Sequence, residues 1–491
     1  MSFDSLALVI TLVTVSVFTL LGIVSLGQRS LNDVEDYIVH RNQVGSSMAI
    51  ATIVASVIGA WLLLGPAEAA TWAGIPGIIG YSIGQAAPLV AFAYLGPRLR
   101  QVMPQGHSLT EYVWHRFGAG MYGFTVLISI FYMFVFLAAE LTGVALAMNL
   151  VANIPLSWTA LIVSTATLIY TTYGGLQATI FTDNFQFVLI LPLLVIVFVV
   201  TTVLLGGLGT ALAPLTVPES PPLLSPTNAP GVEFGFALII AILAANLFHQ
   251  GFWQRVYACR DLKTLRRSYW IAGLIVVPMV ILSGIIGLMA VGHGVPPEQA
   301  SVALFALVKE VMPSWALMLV LVLALALVMS SMDTLINGIS STVVSDLVRW
   351  RSHLPAGQLM RIARIVTVMV SIPAVAIASQ GYSVLYLFLI ADLVCAGAMV
   401  PVFYGLYSRQ LSGSSALTSC LVGIAAGLLF FPKPDFTPIF NIPLAGRFLV
   451  SFGAALVVSA GLAIALARWL DARQAPFDFS KLETQVHRIH S

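Results

Sequence analysis

Residues 59–72 read GAWLLLGPAEAATW, which places a Gly-Pro pair and a glutamate inside a long apolar run. Proline removes a backbone donor and clashes with the preceding turn, and glycine loosens a helix. Freed backbone groups are costly in lipid, so an interrupted membrane helix persists where it lines a cavity or binds something. Because Gly and Pro are also common in membrane helices, a simple kink is the alternative. The stretch therefore predicts a membrane helix that is either kinked or interrupted at a binding site.

The composition places the whole chain in a membrane. Of its 491 residues, 59% are hydrophobic and 9% are charged, which is more apolar surface than a soluble domain can bury. The apolar runs reach the roughly 20 residues that a helix needs to span a bilayer. We therefore predict an all-α polytopic membrane protein whose surroundings are the lipid bilayer. The formal net charge of +2 gives no electrostatic reason to expect nucleic acid as a partner.

The sequence contains no pattern that indicates enzyme chemistry. Cys259, Cys395 and Cys420 have no paired spacing, which argues against a disulfide or metal framework. A metal-ligand cluster, a phosphate-binding loop and a nucleophile–base pair are all missing from the sequence. We therefore do not expect an enzyme.

Thirteen apolar segments are long enough to cross a bilayer. They are residues 5–27, 47–74, 77–97, 121–151, 156–173, 184–206, 235–257, 269–292, 313–346, 361–379, 383–407, 415–432 and 446–467. With this count, the connections on one side hold most of the 22 Lys and Arg residues, whereas the other side holds only Lys309, Lys433 and Arg447. Cytoplasmic loops carry an excess of basic residues. We therefore predict a protein of the cell membrane with its N-terminus outside and its C-terminus in the cytoplasm.

Two of these segments contain helix-breaking sequences. The second holds Gly59 and the Gly65-Pro66 pair, and the seventh holds NLFHQG at 246–251. Because the two lie five segments apart, each is the first helix of a possible five-helix unit, and an odd number of helices gives the two units opposite orientations. Paired interrupted helices in inverted repeats are typical of transporters with a binding site near the bilayer midplane.

Three motifs resemble those of the sodium:solute symporter family. The run YGGLQATIFTDNFQ at 173–186 is similar to the family signature between the fifth and sixth segments. QRVYA at 254–258 is similar to a motif after the seventh, and SSMDTLIN at 330–337, followed by SDL at 345–347, to a run in the ninth. Segment number, orientation and motif positions agree with this family over nearly the whole chain.

The resemblance implies an inverted five-plus-five helix repeat, the fold of the bacterial leucine transporter, with one extra N-terminal and two extra C-terminal helices. It also implies Na⁺-coupled symport of a small polar solute. The implied parts of the chain are 1–45 (extra N-terminal helix and cytoplasmic loop), 46–206 (first repeat), 207–234 (extracellular loop), 235–409 (second repeat), 410–468 (two C-terminal helices) and 469–491 (cytoplasmic tail).

By resemblance, Na⁺ would bind between the first and eighth core helices. Na⁺, as the coupling ion, is the one cofactor that the resemblance implies. The residues assigned to it are Ala55, Ile58 and Leu327 through their carbonyls, and Ser330 and Ser331 through their hydroxyls. Asp183 falls on the signature aspartate, which in the family assists sodium binding and release. Alternatively, Thr182 and Asp183 cap the N-terminus of the sixth segment.

Small polar residues recur along one face of the ninth segment. They are Ser330, Thr334, Asn337, Ser341 and Ser345, at steps of three or four, which share a helix face. With Asp333 beside them, we interpret this face as a hydrated ion path that takes part in sodium release or coupling. Interhelical hydrogen bonding is the alternative, since small polar residues often join membrane helices.

Four acidic residues fall within apolar segments, and no Lys or Arg lies deep in a segment to neutralise them. They are Glu68, Glu140, Asp333 and Asp392. Ionisable groups in membranes are expensive and usually functional. These four could bind a cationic substrate, help to hold Na⁺, shuttle protons or act as neutral hydrogen-bonding groups in the packing. For Asp392 we favour the packing interpretation.

We predict a substrate pocket across the two interrupted helices. Its candidate residues are Trp61, Glu68, Gln85, Glu140, Asn246 and His249. Two carboxyl groups favour a cationic or strongly hydrogen-bond-donating solute, such as a polyamine, a urea or guanidine compound, or a basic amino acid. His249 could act as a gate, a titratable group or a packing residue. Val57 stands where the proline-transporting branch has Asp, and the eighth segment lacks the Lys of the sugar branch, which disfavours both substrates.

The sequence thus predicts a secondary active transporter that moves Na⁺ and a small solute into the cell by alternating access. Proton coupling through Glu68, Glu140 or His249 is the alternative within transport. A solute-sensing membrane protein that has lost transport, or a channel-like pore, are alternatives from other classes. The sequence gives no reason to infer an obligatory protein partner.

Overall fold

The computed structural model describes residues 3–26, 34–218, 220–350 and 355–486, and their regular elements are helices with two isolated β-bridges. The α-helices are α1 (Phe3–Leu26), α2 (Val34–Ile38), α3 (Ser46–Val57), α4 (Trp61–Val102), α5 (Leu109–Phe117), α6 (Ala119–Ala152), α7 (Leu156–Leu204), α8 (Leu208–Leu212), α9 (Ala229–Asn246), α10 (Gln250–Ala258), α11 (Leu262–Gly292), α12 (Ala303–Val311), α13 (Ser314–Trp350), α14 (Ala356–Ala378), α15 (Val384–Tyr404), α16 (Gly413–Leu428), α17 (Phe448–Trp469) and α18 (Ser480–Gln485).

Ten of the described helices are long and apolar enough to cross a membrane. Two of them, α4 and α7, have 42 and 49 residues, about twice the length of one span. Each contains a glycine with non-helical dihedral angles, Gly74 in α4 and Gly175 in α7. Dividing α4 and α7 at these glycines gives two segments from each helix. The first half of α4 continues α3, and α10 continues α9, so each of these pairs counts as one segment. With the shorter α16 added, the thirteen predicted segments are recovered. The prediction of an all-α polytopic bundle is confirmed.

The first helix break lies at residues 58–60, between α3 and α4, which are not helical. Gly65 and Pro66 lie inside α4, so the prediction that this pair interrupts the helix is wrong. Proline leaves the carbonyl four residues earlier, that of Leu62, without its usual partner. The Ser283 hydroxyl of α11 donates to that carbonyl at 2.5 Å, and this bond allows the helix to continue through Pro66.

The second break lies where the sequence predicts it, between α9 and α10. Residues 247–249 are not helical, and the His249 ring accepts the backbone N–H of Gly251 at 3.1 Å. This bond satisfies one of the free N–H groups at the start of α10. The two interrupted helices are therefore both present in the structure.

Gly74 forms the bend that separates the two halves of α4. Its φ of 65° lies in the left-handed region that favours glycine. The next residue, Ile75, donates its N–H to the carbonyl of Leu223 at 2.8 Å, and a Cβ at Gly74 would lie 2.1 Å from that same oxygen. The bend thus docks the long loop after α8 against α4.

We expect Gly74→Ala to lower the free energy of unfolding by about 2–4 kcal/mol, from backbone strain and overpacking. The measurement is the melting temperature of the purified protein in detergent. Gly123→Ala is the matched control, because a Cβ at Gly123 in α6 meets no atom within 4 Å. Equal melting temperatures for Gly74→Ala and the wild type would contradict the assignment of the bend.

One end of the bundle, which we call the basic face, is defined by Arg41, Arg100 and Arg116. Arg41 donates to backbone carbonyls of the α4–α5 loop, Arg100 to the carbonyl of Cys259 at 2.7 Å, and Arg116 to that of Ser408 at 2.6 Å. Hydrogen bonds from charged groups are stronger than those between neutral ones. The loops of this face are therefore held by arginine side chains.

A buried charge cluster joins two loops of the basic face. The His107 ring lies 2.7 Å from Glu35 on one side and 3.1 Å from Glu111 on the other, and Arg41 donates to Glu35 at 2.6 Å. Burial lowers the pKa of His107, but Glu111 and Glu35 outweigh it and raise that pKa from 6.5 to about 9. Burial raises the pKa of Glu35, but His107 and Arg41 outweigh it and lower that pKa from 4.5 to about 2.

These shifts predict how stability depends on pH. The His107 contribution is complete below pH 6.5 and is lost as the pH rises through about 9, while the Glu35 contribution is complete above pH 4.5 and is lost as the pH falls through about 2. We expect the melting temperature to fall between pH 6.5 and 9, and His107→Gln to abolish most of that fall. His293→Gln, at a half-exposed histidine paired with Glu310, should keep it. A wild-type melting temperature that is constant over this range would contradict the prediction.

Candidate functional site

Both helix breaks contact α13 inside the bundle. The Ser330 hydroxyl of α13 lies 2.7 Å from the carbonyl oxygen of Ala55, just before the first break. Arg255 of α10, just after the second break, donates to the Thr334 hydroxyl at 2.9 Å. The inverted pair of interrupted helices and α13 therefore meet at one place.

Four of the five residues assigned to sodium are in contact in pairs. The Ser330 hydroxyl approaches the carbonyl of Ala55, and the Ser331 hydroxyl lies 3.2 Å from that of Leu327. Ile58, the fifth, is buried and follows the last residue of α3 at the same break. Hydroxyl and carbonyl oxygens are the ligands that hard cations prefer. The residues present thus fit a monovalent cation, and sodium binding stays a prediction.

Asp183 and Arg255 form an ion pair that joins α7 to α10. Their nearest side-chain atoms lie 2.9 Å apart, and the two side chains are 0% and 1% exposed. The same carboxylate accepts hydrogen bonds from hydroxyls of α3 and α13. The donors are Thr52, Ser56 and Ser330. Four helices are thus connected through one carboxylate.

Two sequence-based predictions about this region are wrong. The second half of α7 begins after Gly175, so Asp183 lies two turns inside the helix and does not cap it, and the Thr182 hydroxyl donates to the Ala178 carbonyl instead. The expectation that no basic residue lies deep in a segment fails at Arg255, which extends from the short α10 into the bundle. The QR motif pointed to this arginine, but its position at the end of the segment suggested a loop residue.

Asp333 lies beside this ion pair and accepts hydrogen bonds from Tyr170 at 2.8 Å and Thr182 at 3.3 Å. Farther along α13, Asn337 donates to Thr179 of α7. Part of the polar face of α13 therefore serves helix–helix contacts, in line with the alternative interpretation. The first turn of this polar face, which is not the first turn of α13, faces the Asp183–Arg255 ion pair. The role of the face as an ion path stays a prediction.

The Glu140 carboxylate of α6 is directed at the first helix break. Its Oε2 accepts the N–H of Ala60 and the hydroxyl of Ser331, both at 2.6 Å, and its Oε1 accepts the N–H of Trp61 at 3.3 Å. A Cβ at Gly59 would lie 2.2 Å from this carboxylate, so the approach requires glycine. Glu140 is thus a contact between the break and α13.

A small central pocket lies between the two interrupted helices, α6 and α15. Its free volume of about 20 Å³ has room for about one water molecule. Its polar and aromatic lining includes Trp61, Tyr81, Gln85, Tyr132, Asn246 and Asp392. The rings of Trp61 and Tyr81 stack with their centroids 5.7 Å apart. Three predicted substrate residues, Trp61, Gln85 and Asn246, are therefore brought together in this pocket.

Asp392 of α15 is the acidic residue in the lining of the central pocket. Its side chain is 4% exposed and makes no hydrogen bond to the described residues, although buried polar groups are normally hydrogen-bonded. The interpretation of Asp392 as a hydrogen-bonding group in the packing is therefore wrong. One sequence feature could have identified Asp392 as a pocket residue. It is an acidic residue on the last core helix of the second repeat, where that helix faces the first break.

Glu68 lies in a larger cavity, which we call the vestibule, at the end of the bundle away from the basic face. The vestibule has a volume of about 790 Å³ and is also lined by Glu233, Glu298 and Arg447. Arg447 pairs with Glu233 at 2.8 Å. One oxygen of Glu68 accepts the Ser383 hydroxyl at 3.3 Å, and the other is buried without a hydrogen bond. The two glutamates predicted to share a pocket therefore lie in different places.

His249 lies beside the central pocket without lining it. Its ring stacks on Phe252, with centroids 4.5 Å apart, and meets the pocket rings of Tyr132 and Phe136 edge-on. Its Nε2 is buried without a hydrogen bond. The ring can thus respond to a change in the pocket lining, and its role as a gate stays a prediction.

Comparisons with known proteins agree with this geometry. A model of the sodium:solute symporter family matches residues 37–423. The spermidine transporter DUR31 of Candida albicans is 31% identical over 368 residues, which cover 74% of this chain and 68% of that protein. The urea-proton symporter DUR3 of Oryza sativa subsp. japonica is 20% identical over 431 residues, or 79% of this chain and 59% of that protein.

The fold is also that of a transporter of known structure. A Na⁺-coupled sialic acid symporter, solved in a substrate-bound outward-open state, is 20% identical, with a TM-score of 0.78 over 97% of this chain and 99% of that one. The predictions of the fold class and of a transporter rather than an enzyme are confirmed, and so is the resemblance to the family, whose model covers most of the chain. The protein is therefore a membrane-embedded secondary active symporter that belongs to the sodium:solute symporter family.

Proposed function

We propose that this symporter couples Na⁺ to the uptake of a small organic cation of the polyamine class. The observation that carries the proposal is the Asp392 carboxylate in the central pocket, with no hydrogen bond to the described residues. An unpaired charge inside a membrane protein is costly. A bound ammonium group would neutralise the carboxylate and remove that cost.

The aromatic lining supports the same substrate class. Trp61, Tyr81 and Tyr132 line the pocket, and an aromatic face that meets a bound ammonium group attracts it by about 0.5–2 kcal/mol. The amides of Gln85 and Asn246 add hydrogen-bonding groups. The lining therefore suits a slender cation with an apolar chain and N–H donors.

The vestibule provides a route that also favours cations. Of the carboxylates that line it, Glu233 is paired with Arg447, whereas Glu68 and Glu298 are not in an ion pair among the described residues. With three glutamates and one arginine in its lining, the vestibule has an excess of acidic groups, and such an excess concentrates cations. A polyamine would meet Glu68 before Asp392, and the small volume of the central pocket requires a conformational change for binding.

The similarity to the spermidine transporter DUR31 of Candida albicans supports a polyamine as the first substrate to test. For the coupling ion, the convergent carbonyl and hydroxyl oxygens near Ser330 and Ser331 favour Na⁺. Similarity to the urea-proton symporter DUR3 keeps proton coupling as the second candidate. The amides of Gln85 and Asn246 would suit urea, but urea would leave Asp392 without a counter-charge.

The proposed mechanism is alternating access between an outer vestibule and the cytoplasm. We assign the basic face to the cytoplasm, which places the N-terminus outside the cell, because loops rich in Arg and Lys stay on that side. Na⁺ and the solute would each stabilise the same conformation, so each raises the affinity for the other. For every positive charge that enters, the membrane potential contributes about 2.3 kcal/mol per 100 mV.

The test is uptake of radiolabelled spermidine into proteoliposomes under an inward Na⁺ gradient, an inward proton gradient, or neither. We expect accumulation above equilibrium with the Na⁺ gradient, competition by unlabelled spermidine, and little competition by urea. Accumulation that follows only the proton gradient would overturn sodium coupling. Spermidine binding without accumulation under either gradient would support a sensor that has lost transport.

A further inference from the structure

We propose that Glu140 is a carboxylate ligand of the coupling cation and that it links the cation site to the substrate pocket. This inference rests on the proposed symport. Glu140 lies on α6 and is not one of the carbonyl and hydroxyl ligands assigned to sodium. It is 0% exposed. It contacts the break between α3 and α4 on one side and the Ser331 hydroxyl on the other.

The Ser331 hydroxyl has three acceptors within reach, and the nearest of them is the Glu140 carboxylate. A hydroxyl has one proton to donate and lone pairs that can bind a cation. The Ser331 oxygen lies 2.6 Å from Glu140 but 3.2 Å from the carbonyls of Leu327 and Val328. When Glu140 is ionised, its carboxylate is the nearest acceptor for this proton, and a proton directed to it leaves the lone pairs of Ser331 and the carbonyl of Leu327 available to a cation.

The neighbouring hydroxyl, that of Ser330, repeats this arrangement. The Ser330 oxygen lies 2.7 Å from the Ala55 carbonyl and 2.8 Å from Asp183. When its proton points to Asp183, the Ser330 oxygen and the Ala55 carbonyl both face a cation as acceptors. Each serine thus has a carboxylate that can take its proton, and Glu140 supplies the one on the α6 side.

Of the two carboxylates beside these serines, one has an ion-pair partner among the described residues and the other does not. Asp183 is neutralised by Arg255, whereas Glu140 makes no ion pair with any residue that the structure describes. Two N–H groups and one hydroxyl stabilise its carboxylate, but the net charge stays within the membrane, where it is expensive. A monovalent cation that touches Glu140 would neutralise this unpaired charge.

The Glu140 carboxylate also contacts the helix that carries a residue of the central pocket. Glu140 accepts the N–H of Trp61, and the Trp61 side chain lines the central pocket with Asp392. A cation that shifts the Glu140 carboxylate would move the start of α4 and the stacked Trp61–Tyr81 pair. Coupling requires that one element respond to both ligands. The first turn of α4, held by Glu140, is that element.

The experiment measures the melting temperature of the purified protein against NaCl, with choline chloride keeping the ionic strength constant. We expect saturable stabilisation of the wild type by Na⁺ and a half-saturating Na⁺ concentration at least about tenfold higher for Glu140→Gln, which loses the charge but keeps its shape. Thr142→Val is the matched control, because among the described residues the Thr142 hydroxyl bonds only to the Ala138 carbonyl of its own helix. It should respond to Na⁺ like the wild type.

A second variant and a second readout keep the inference testable if Glu140→Gln does not fold. Glu140→Asp withdraws the carboxylate by one methylene group and should also weaken Na⁺ stabilisation, while Thr142→Val does not. In folded variants, Na⁺ should no longer increase the affinity for spermidine. A Na⁺ half-saturation within twofold of the wild type in both Glu140 variants would overturn the inference, and so would a wild type that Na⁺ does not stabilise. An unchanged Na⁺ half-saturation in the Glu140 variants would leave Na⁺-driven uptake intact. A wild type that Na⁺ does not stabilise, together with failed uptake, would remove the proposed sodium coupling itself.

Discussion

Asp392→Asn should weaken spermidine binding by at least about 100-fold, which is about 2.8 kcal/mol. The change keeps the shape of the side chain and removes its charge, so the ammonium group of the substrate would enter a low-dielectric pocket without a counter-ion. Desolvated charge pairs of this kind are worth several kcal/mol when one partner is removed. The measurement is the spermidine concentration that gives half-maximal thermal stabilisation at saturating Na⁺.

Two further variants separate the charge of Asp392 from the packing of α15. Cys395→Ala, one turn farther along the same helix and also buried, should keep the wild-type affinity. Glu68→Gln should weaken binding by a smaller factor, about tenfold or less, because Glu68 lines the vestibule and not the central pocket in which Asp392 would hold the ammonium group. If Asp392→Asn binds spermidine within threefold of the wild type, the carboxylate does not hold the substrate and the polyamine proposal loses its basis.

The contrast between Asp392 and the Gly65-Pro66 pair shows what the sequence could predict. Gly59 and the run at 246–251 marked the two breaks because the conformational freedom of glycine and the gaps in apolar pattern are local properties. Gly65-Pro66 was misjudged because the hydroxyl that compensates for the proline belongs to Ser283, 221 positions from the carbonyl it serves. Such a long-range partner cannot be read from the local pattern.

In the candidate site, too, some residues could be predicted from the sequence and others could not. Ser330 and Ala55 were assigned through family motifs, and the structure places them in contact. Asp392 and Arg255 were misjudged because their roles depend on which way a side chain points from a helix and on how long that helix is after a break. The sequence predicts that a buried acid is expensive, but only the packing of α15 against the first break determines which acid lines the pocket.

Arg255→Met should lower the free energy of unfolding by about 3–5 kcal/mol, the usual cost of breaking a buried ion pair from one side. Removal of the guanidinium group leaves Asp183 charged inside the bundle, and it also removes the hydrogen bonds that Arg255 donates to Thr52 and Thr334. Thr52 can still donate to Asp183 and Thr334 to Ser56, but the Asp183 carboxylate loses its only ion-pair partner among the described residues.

The double variant Asp183→Asn with Arg255→Met tests whether the cost comes from the unpaired charge. We expect it to be more stable than Arg255→Met alone, because replacing both members of a buried pair by neutral groups is far less costly than removing one. The measurement is the free energy of unfolding, or the melting temperature in detergent, for the wild type, both single variants and the double variant. If the double variant loses the sum of the two single losses, Asp183 and Arg255 act independently, and the four helices that meet at this carboxylate are held by the surrounding hydroxyl groups rather than by the ion pair.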